Sequence, residues 1–235
     1  MDDEVIVKPK PIKDFARKKV IYIPVDSPSR IIQKALEKNA IKESITPYGR
    51  FYLLEDKVAL LQCLGAPLAI LSLEIFIVSG AREILLLGFC GSLSHELKIA
   101  DIVSISKAFS EEGTSKHYFS RRKIFCPSSI LRERIESTLN TLSLPFSTGT
   151  VVSTDAPYRE TKSWLAQKQK RGIYSVDMEI SAVFALAEFY EIHAAALMVV
   201  SDELSSGEWK TGFHHPKLDE KIKKYFFPFI NKQEV

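Results

Sequence analysis

The sequence predicts an α/β fold in which a largely parallel sheet is covered by helices on both faces. Three observations support this. Glu83–Leu87 and Ala194–Val200 are continuous apolar runs of strand length, with none of the polar alternation that marks a strand with one wet face. The helix-length apolar segment Leu68–Ser79 lies between Lys57–Leu64 and Glu83–Leu87, so strand, helix and strand follow in the order of a right-handed βαβ unit. No Pro-, Gly- or Ser-rich linker divides the 235 residues, which therefore read as an arm over 1–18 and one domain over 19–235.

Composition narrows the function classes. Apolar residues at 46% and charged residues at 26% fit a folded domain and not a disordered chain. A net charge of +3, with acids and bases interleaved, provides no basic surface for nucleic acid, and no nucleic-acid partner is expected. Cys63, Cys90 and Cys126 are odd in number, with no CxxC and no His at ligand spacing, so a metal site is not expected and a reducing, cytoplasmic compartment is. The acidic start Met1-Asp2-Asp3-Glu4 is unlike a secretory signal, and every apolar run falls well short of the roughly 20 residues that span a bilayer. No membrane partner is expected.

Along the chain, Lys8-Pro9-Lys10-Pro11 keeps the arm extended, because proline fixes φ and removes a donor. Lys19–Pro24 is the first buried strand. Asp26-Ser27-Pro28-Ser29-Arg30 is the turn before a helix over Ile31–Asn39, with Ser27 or Ser29 as its N-cap. Hydroxyls and Arg30 at a helix N-terminus make a candidate anion site, with ordinary capping beside an exposed Arg as the alternative. Tyr48–Leu54 and Lys57–Leu64 form a hairpin about Glu55-Asp56, Gly65-Ala66-Pro67 opens the next helix, and Gly80 closes it as a C′ residue. Gly88-Phe89-Cys90-Gly91-Ser92-Leu93 reads as a turn whose glycines let the backbone approach a ligand at the carboxyl edge of the sheet, or as a tight packing turn.

Asp101–Ser106 and Thr150–Ser153 are further strands, separated by an irregular region at His117-Tyr118-Phe119 and a helix near Ser128–Leu142. A helix near Arg159–Lys170 and the strand Gly172–Val176 lead into Val176-Asp177-Met178-Glu179, where an acid is presented just before the buried helix through Val183–Ala187. Ala194–Val200 repeats that design and ends at Ser201-Asp202. Pro216–Phe227 is the closing helix, stopped by Pro228.

The order Asp-Ser-Pro-Ser-Arg, Gly-Ala-Pro before a helix, Gly-Phe-Cys-Gly-Ser-Leu after a central strand, Val-Asp-Met-Glu-Ile-Ser-Ala and Val-Ser-Asp resembles the nucleoside phosphorylase family of the purine and uridine phosphorylase type. The resemblance runs from Val20 to Leu204. It implies a three-layer phosphorylase-type fold around a central mixed, partly barrel-like sheet flanked by helices, assembled as a homo-oligomer of dimers, trimers or hexamers. It also implies cleavage of a nucleoside N-glycosidic bond through a ribosyl cation, by phosphate or, in the hydrolase branch, by water. Inorganic phosphate is then a co-substrate, and no cofactor is implied.

By the same resemblance Glu179 accepts hydrogen bonds from the ribose hydroxyls and Met178 packs on the sugar. Asp202 is the catalytic acid that protonates or hydrogen-bonds N7 of a purine, a role that burial at a strand end would favour by raising its pKa. Phe89, Cys90 and Gly91 line the base pocket, and Tyr158 is either its aromatic wall or a packing residue. A first-turn acid complementing the helix dipole is the alternative for Glu179, and a helix N-cap the alternative for Asp202.

The phosphate end departs from the family pattern. Leu86 stands where a strand Arg is expected, Phe89 where a Ser or Thr is expected, and Asp26 near a Gly whose backbone receives phosphate. Neither Leu nor Phe can replace the bidentate Arg clamp. Arg30 remains as the phosphate ligand, and Arg50 is the candidate for the Arg that a partner subunit contributes. Phosphorolysis of a purine nucleoside is the first expectation, because Arg30 persists. Hydrolysis with Asp26 activating water, and nucleoside binding without turnover, are the alternatives. His214-His215 is either part of a pocket lid or, as is commoner for adjacent His in a loop, solvated.

Overall fold

Side chains alternate along the central strands and divide the core between two layers of helices. The computed structural model describes residues 5–13, 15, 18–46 and 48–231. In β1 (Lys19–Ile23), Val20 and Tyr22 pack with α2 (Ala66–Val78) and α5 (Ile180–Phe189), while Ile21 and Ile23 pack with α1 (Ile31–Asn39), α3 (Ser129–Thr141) and α6 (Pro216–Ile230). β5 (Glu83–Ser92) and β10 (His193–Glu203) divide in the same way, Leu86 and Met198 facing one layer and Leu87 and Leu197 the other. Both faces are dry, which is why these strands lack polar alternation.

The described strands form one eleven-stranded sheet that closes on itself at one side. β10 pairs with β6 (Ile102–Ser110), β6 with β8 (Ser147–Ser153), β8 with β9 (Ser175–Asp177), β9 with β5, and β5 again with β10, a mixed ring of five strands. From β5 the sheet continues through β1 and β4 (Lys57–Leu61) to the hairpin of β3 (Gly49–Leu53) and β2 (Lys42–Thr46). Two short strands complete it, β7 (Ile124–Phe125) on β6 and β11 (Lys210–Thr211) on β10. The helix α4 (Lys162–Lys170) covers the end of the ring through Leu165, which packs with Leu93, Val152, Ile173 and Val176. The mixed, partly barrel-like sheet flanked by helices is the expected fold.

Several local expectations are corrected. Gly88–Ser92 is not a turn but the second half of β5, and the glycines are required by strand packing. A Cβ on Gly88 would lie 3.1 Å from the Met198 methyl, and one on Gly91 2.9 Å from Leu204 Cδ1 and 3.1 Å from Asp202 Oδ2. Pro228 lies inside α6, which runs on to Ile230; so close to the helix end, few residues remain for its missing N–H to disrupt. The hairpin strand β2 was not expected, because Lys42-Glu43-Ser44-Ile45-Thr46 is mostly exposed and has no apolar face.

The described part of the N-terminal eighteen residues has neither helix nor strand; Ile12 N–H donates to Ser79 Oγ at 2.8 Å and Phe15 packs on Phe76 with ring centroids 5.6 Å apart. The rest of the arm expected there, 1–4, 14, 16 and 17, lies outside the described residues.

α5 is apolar on every side because it is enclosed by α2 and by β6, β8 and β10. Its Phe184 is 1% exposed. Phe184→Ala should therefore lower stability by about 3–5 kcal/mol, read as an earlier urea midpoint with an unchanged slope.

Candidate active site

A cavity of about 560 Å³ opens at the carboxyl ends of β1, β5, β9 and β10. This is the edge at which α/β sheets bind ligands. Phe89, Cys90, Gly91, Tyr158, Met178, Glu179 and Asp202, expected at the site from sequence, all line it. Arg30 does not. A smaller cavity of about 240 Å³ lies at the opposite end of β1 and β5, where Arg134 pairs with Glu83 at 2.8 Å and Lys57 with Asp56 at 3.4 Å.

Asp202 is aimed into the cavity by a break in strand register. The pairing of β10 with β5 slips between Val200 and Asp202, leaving Ser201 as the extra residue. Such a bulge bends the strand and redirects the following side chain. Ser201 Oγ donates to Asp202 Oδ1 at 2.6 Å, and Trp209 Nε1–H donates to Oδ2 at 2.9 Å. Asp202 lies within β10 and caps no helix, so the N-cap alternative is set aside.

Asp177, which the sequence left without a role, does the capping at α5. Its carboxylate is 6% exposed and accepts from Glu179 N–H at 2.9 Å, Ile180 N–H at 2.7 Å and Ser153 Oγ at 2.5 Å. Glu179 is thereby released from its own helix. It is 3% exposed, and its Oε1 accepts from Gly65 N–H, at the start of α2, at 2.5 Å. Burial first and the Asp177 charge second push the Glu179 carboxyl well above the usual carboxylate range. Burial also raises Asp177, opposed by its hydrogen bonds to Ser153 and to the two amides. The signal for Asp177 is visible in hindsight as an Asp three residues before the first helical residue.

The turn before α1, where the sequence offers an anion site, is occupied by the protein's own carboxylate. Asp26 accepts from Ser27 N–H at 2.7 Å, Ile32 N–H at 3.3 Å and Gln33 N–H at 2.7 Å, so two of the N-terminal amides of α1 are already satisfied. Ser27 and Ser29 bond to each other at 2.9 Å, and Ser29 donates to Asp219 of α6; neither caps α1. Arg30 stands at the cap position with φ 53° and its side chain is exposed. Asp26 also lines no part of the cavity, which removes the sequence reading of it as a water-activating base. Part of the cavity wall is apolar, formed by Pro24, Val25, Leu64 and Phe89, with Phe89 edge-on to Phe213 at 6.3 Å. Leu86 is fully buried in the core.

Two further residues reach the cavity without any sequence signal. Glu160, just after the turn Pro157–Arg159, is half-buried; burial first and the Asp202 charge second push its carboxyl up to about 7. Trp209 comes from the segment between β10 and β11 and is 59% exposed. Tyr158 forms the mouth and is 92% exposed, a rim and not an enclosing wall. The lid contacts come from Trp209 and Phe213; His214 and His215 line nothing, and His215 Nδ1 accepts from Lys217 N–H at 3.3 Å as the cap of α6. Among the described residues no group of three or more His, Cys, Asp or Glu is placed to hold a metal ion, and no helix is long and apolar enough to cross a membrane.

The raised Glu179 has a consequence for stability. The folded chain keeps this proton at pH values where the unfolded chain releases it, so stability falls as pH rises from about 4, the unfolded carboxyl value, towards the raised folded one. Glu179→Gln keeps the acceptor for Gly65 and cannot ionise. It should melt about 2–4 °C above the parent near pH 9, a shift worth about 1 kcal/mol in a domain of this size, with the gap closing near pH 4.5. Thermal denaturation at the two pH values checks this.

The comparisons agree with this fold. A solved structure of purine nucleoside phosphorylase from Toxoplasma gondii in complex with immucillin-H superposes with a TM-score of 0.73 over 89% of this chain and 88% of that one, at 19% identity, which shows the shared fold. Guanosine phosphorylase of Halorubrum lacusprofundi is 29% identical over 160 residues, 68% of this chain and 66% of that protein. Purine nucleoside phosphorylase DeoD-type of Clostridium novyi is 26% identical over 151 residues, 63% of this chain and 64% of that protein. The chain thus spans just under two thirds of the length of these curated relatives. The family model described as the phosphorylase superfamily matches residues 33–225, and the chain belongs to that superfamily.

Proposed function

We propose that the cavity binds a nucleoside, with a purine base, and cleaves its N-glycosidic bond with water as the acceptor. One observation supports this acceptor above phosphate. Among the described residues that line the cavity there are four carboxylates, on Glu160, Asp177, Glu179 and Asp202, and no Lys, Arg or His. An ionised carboxylate about 4 Å from a phosphate opposes it by about 4 kcal/mol at an effective dielectric of about 20. Nothing in the lining offsets that. Those of the four that are ionised also favour a ribosyl cation as it develops. Glu179 and Met178 then hold the sugar, and Asp202 with Phe89, Cys90 and Gly91 holds the base, with Tyr158 at the mouth.

Phosphorolysis is the second reading, favoured by the names of the relatives. It needs a cation that this chain does not bring to the cavity; Arg30 points away, and Arg50 on β3 pairs with Glu43 at 3.1 Å. A second copy would have to supply one. A homo-oligomer is itself a proposal, supported by Ile41, Ile45, Leu64 and Leu71, apolar side chains 64%, 66%, 54% and 46% exposed.

Incubation with a panel of purine and pyrimidine nucleosides, with and without phosphate, tests the proposal by product. Free ribose at a rate independent of phosphate is expected, with purine nucleosides preferred. Ribose 1-phosphate as the product would favour the second reading, and tight binding with no product in either buffer would leave a nucleoside-binding protein. Asp202→Asn should lower kcat/KM on purine nucleosides by at least about 100-fold while the melting temperature holds.

A further inference from the structure

The base end of the cavity holds two acids in unlike surroundings. Asp202 accepts two hydrogen bonds, at Oδ1 from Ser201 Oγ at 2.6 Å and at Oδ2 from Trp209 Nε1–H at 2.9 Å. Glu160 lines the same cavity and is half-buried; its N–H donates to Pro157 C=O at 3.2 Å, and its carboxyl has no hydrogen bond or ion pair among the described residues. Its neighbours in the chain, the exposed Arg159 and Lys162, make no ion pair with it. The other charged groups lining the cavity are all acids, Asp202 from β10 and Asp177 and Glu179 from the junction of β9 and α5.

From this arrangement we infer that Glu160 is the general acid that protonates the departing base, while Asp202 orients the base beside it. The inference rests on the nucleoside-cleaving reading above and adds a residue to it. Two acids in unlike surroundings divide their roles: the one whose oxygens already accept two hydrogen bonds is held in place beside the base, and the one without a partner is free to carry and give up a proton. Burial and the Asp202 charge hold Glu160 near 7, where an acid is both protonated for much of the time and able to give its proton up.

The step balances. The Glu160 proton passes to a ring nitrogen of the base, N7 in a purine, as the electron pair of the C1′–N bond moves into the ring. Water adds to C1′ and releases one proton, and Glu160 regains one from solvent. The sum is nucleoside plus water giving ribose plus free base.

Two substrates separate this role from a structural one. With the best purine nucleoside of the panel, Glu160→Gln should lower kcat/KM by about 100-fold or more, the usual worth of a general acid. With p-nitrophenyl β-D-riboside, whose phenolate leaves without a proton, the loss should be under about tenfold. The parent profile of kcat/KM on the purine nucleoside should fall as pH rises through about 7, because the protonated form is needed, and Glu160→Gln should lack that limb. Asp177 and Glu179 remain in the variant, so the limb that disappears belongs to Glu160. Glu160→Asp should regain part of it. Equal losses on the two substrates, or a limb that persists in Glu160→Gln, would overturn the assignment. A parent protein that cleaves the riboside but no nucleoside also overturns it while leaving ribose recognition standing, and one that cleaves neither removes the functional reading beneath it.

Discussion

Negative charge held in an apolar wall without a neighbouring cation is the constraint on which the site depends. Three of the four acids in the cavity are held by donors that the protein supplies from amides, hydroxyls and an indole. Asp177 is held by two backbone N–H groups and Ser153, Glu179 by Gly65 N–H, and Asp202 by Ser201 and the Trp209 indole. Hydrogen bonds stabilise a buried carboxylate but do not neutralise it, so the pKa values rise where burial is deepest. Glu179 shows this most clearly, as the Asp177 charge adds to its own desolvation. The raised values are therefore signs of a place built to meet positive charge.

The fold creates that place through small irregularities on an otherwise regular frame. Closure of the ring β10–β6–β8–β9–β5 brings the ends of β5, β9 and β10 together, and the bulge at Ser201 turns Asp202 inward at the point where they meet. Gly91 keeps that junction open, since a methyl there would lie 3.1 Å from the Asp202 carboxylate. Outside the cavity, at the start of α1, Asp26 accepts from the Ile32 and Gln33 amides, which would otherwise be free to receive an anion. One carboxylate thus removes an anion site, and the four others line a site suited to a cation. The local structure and the electrostatics point the same way.

Much of the frame was legible because burial on both faces leaves a plain mark in the sequence. β5 and β10 read as uniformly apolar strands, and the bounds of α1 follow its apolar positions Ile32 and Leu36. The expectations failed where tertiary contact decided the outcome. Gly88 and Gly91 look like turn punctuation, yet they serve close strand packing against Met198 and Leu204. Arg30 sits next to a helix start, where a ligand for anions is reasonable, but the left-handed backbone at that residue and the Asp26 cap leave it facing solvent. Met178, Glu179 and Asp202 were visible as acids and their neighbour at strand ends. Glu160 and Trp209 were not, since only the path of the chain over the ring brings them to the cavity. Asp177 was in plain view, and its role became clear only when Glu179 proved to bond across to Gly65.

If water is the acceptor, the cavity takes an uncharged nucleoside with no phosphate beside it. Calorimetric titration of the protein with a purine nucleoside, repeated from phosphate-free buffer to a large excess of phosphate, measures the coupling between the two directly. The account predicts a nucleoside Kd that does not change with phosphate. A Kd that tightens as phosphate is added would contradict it.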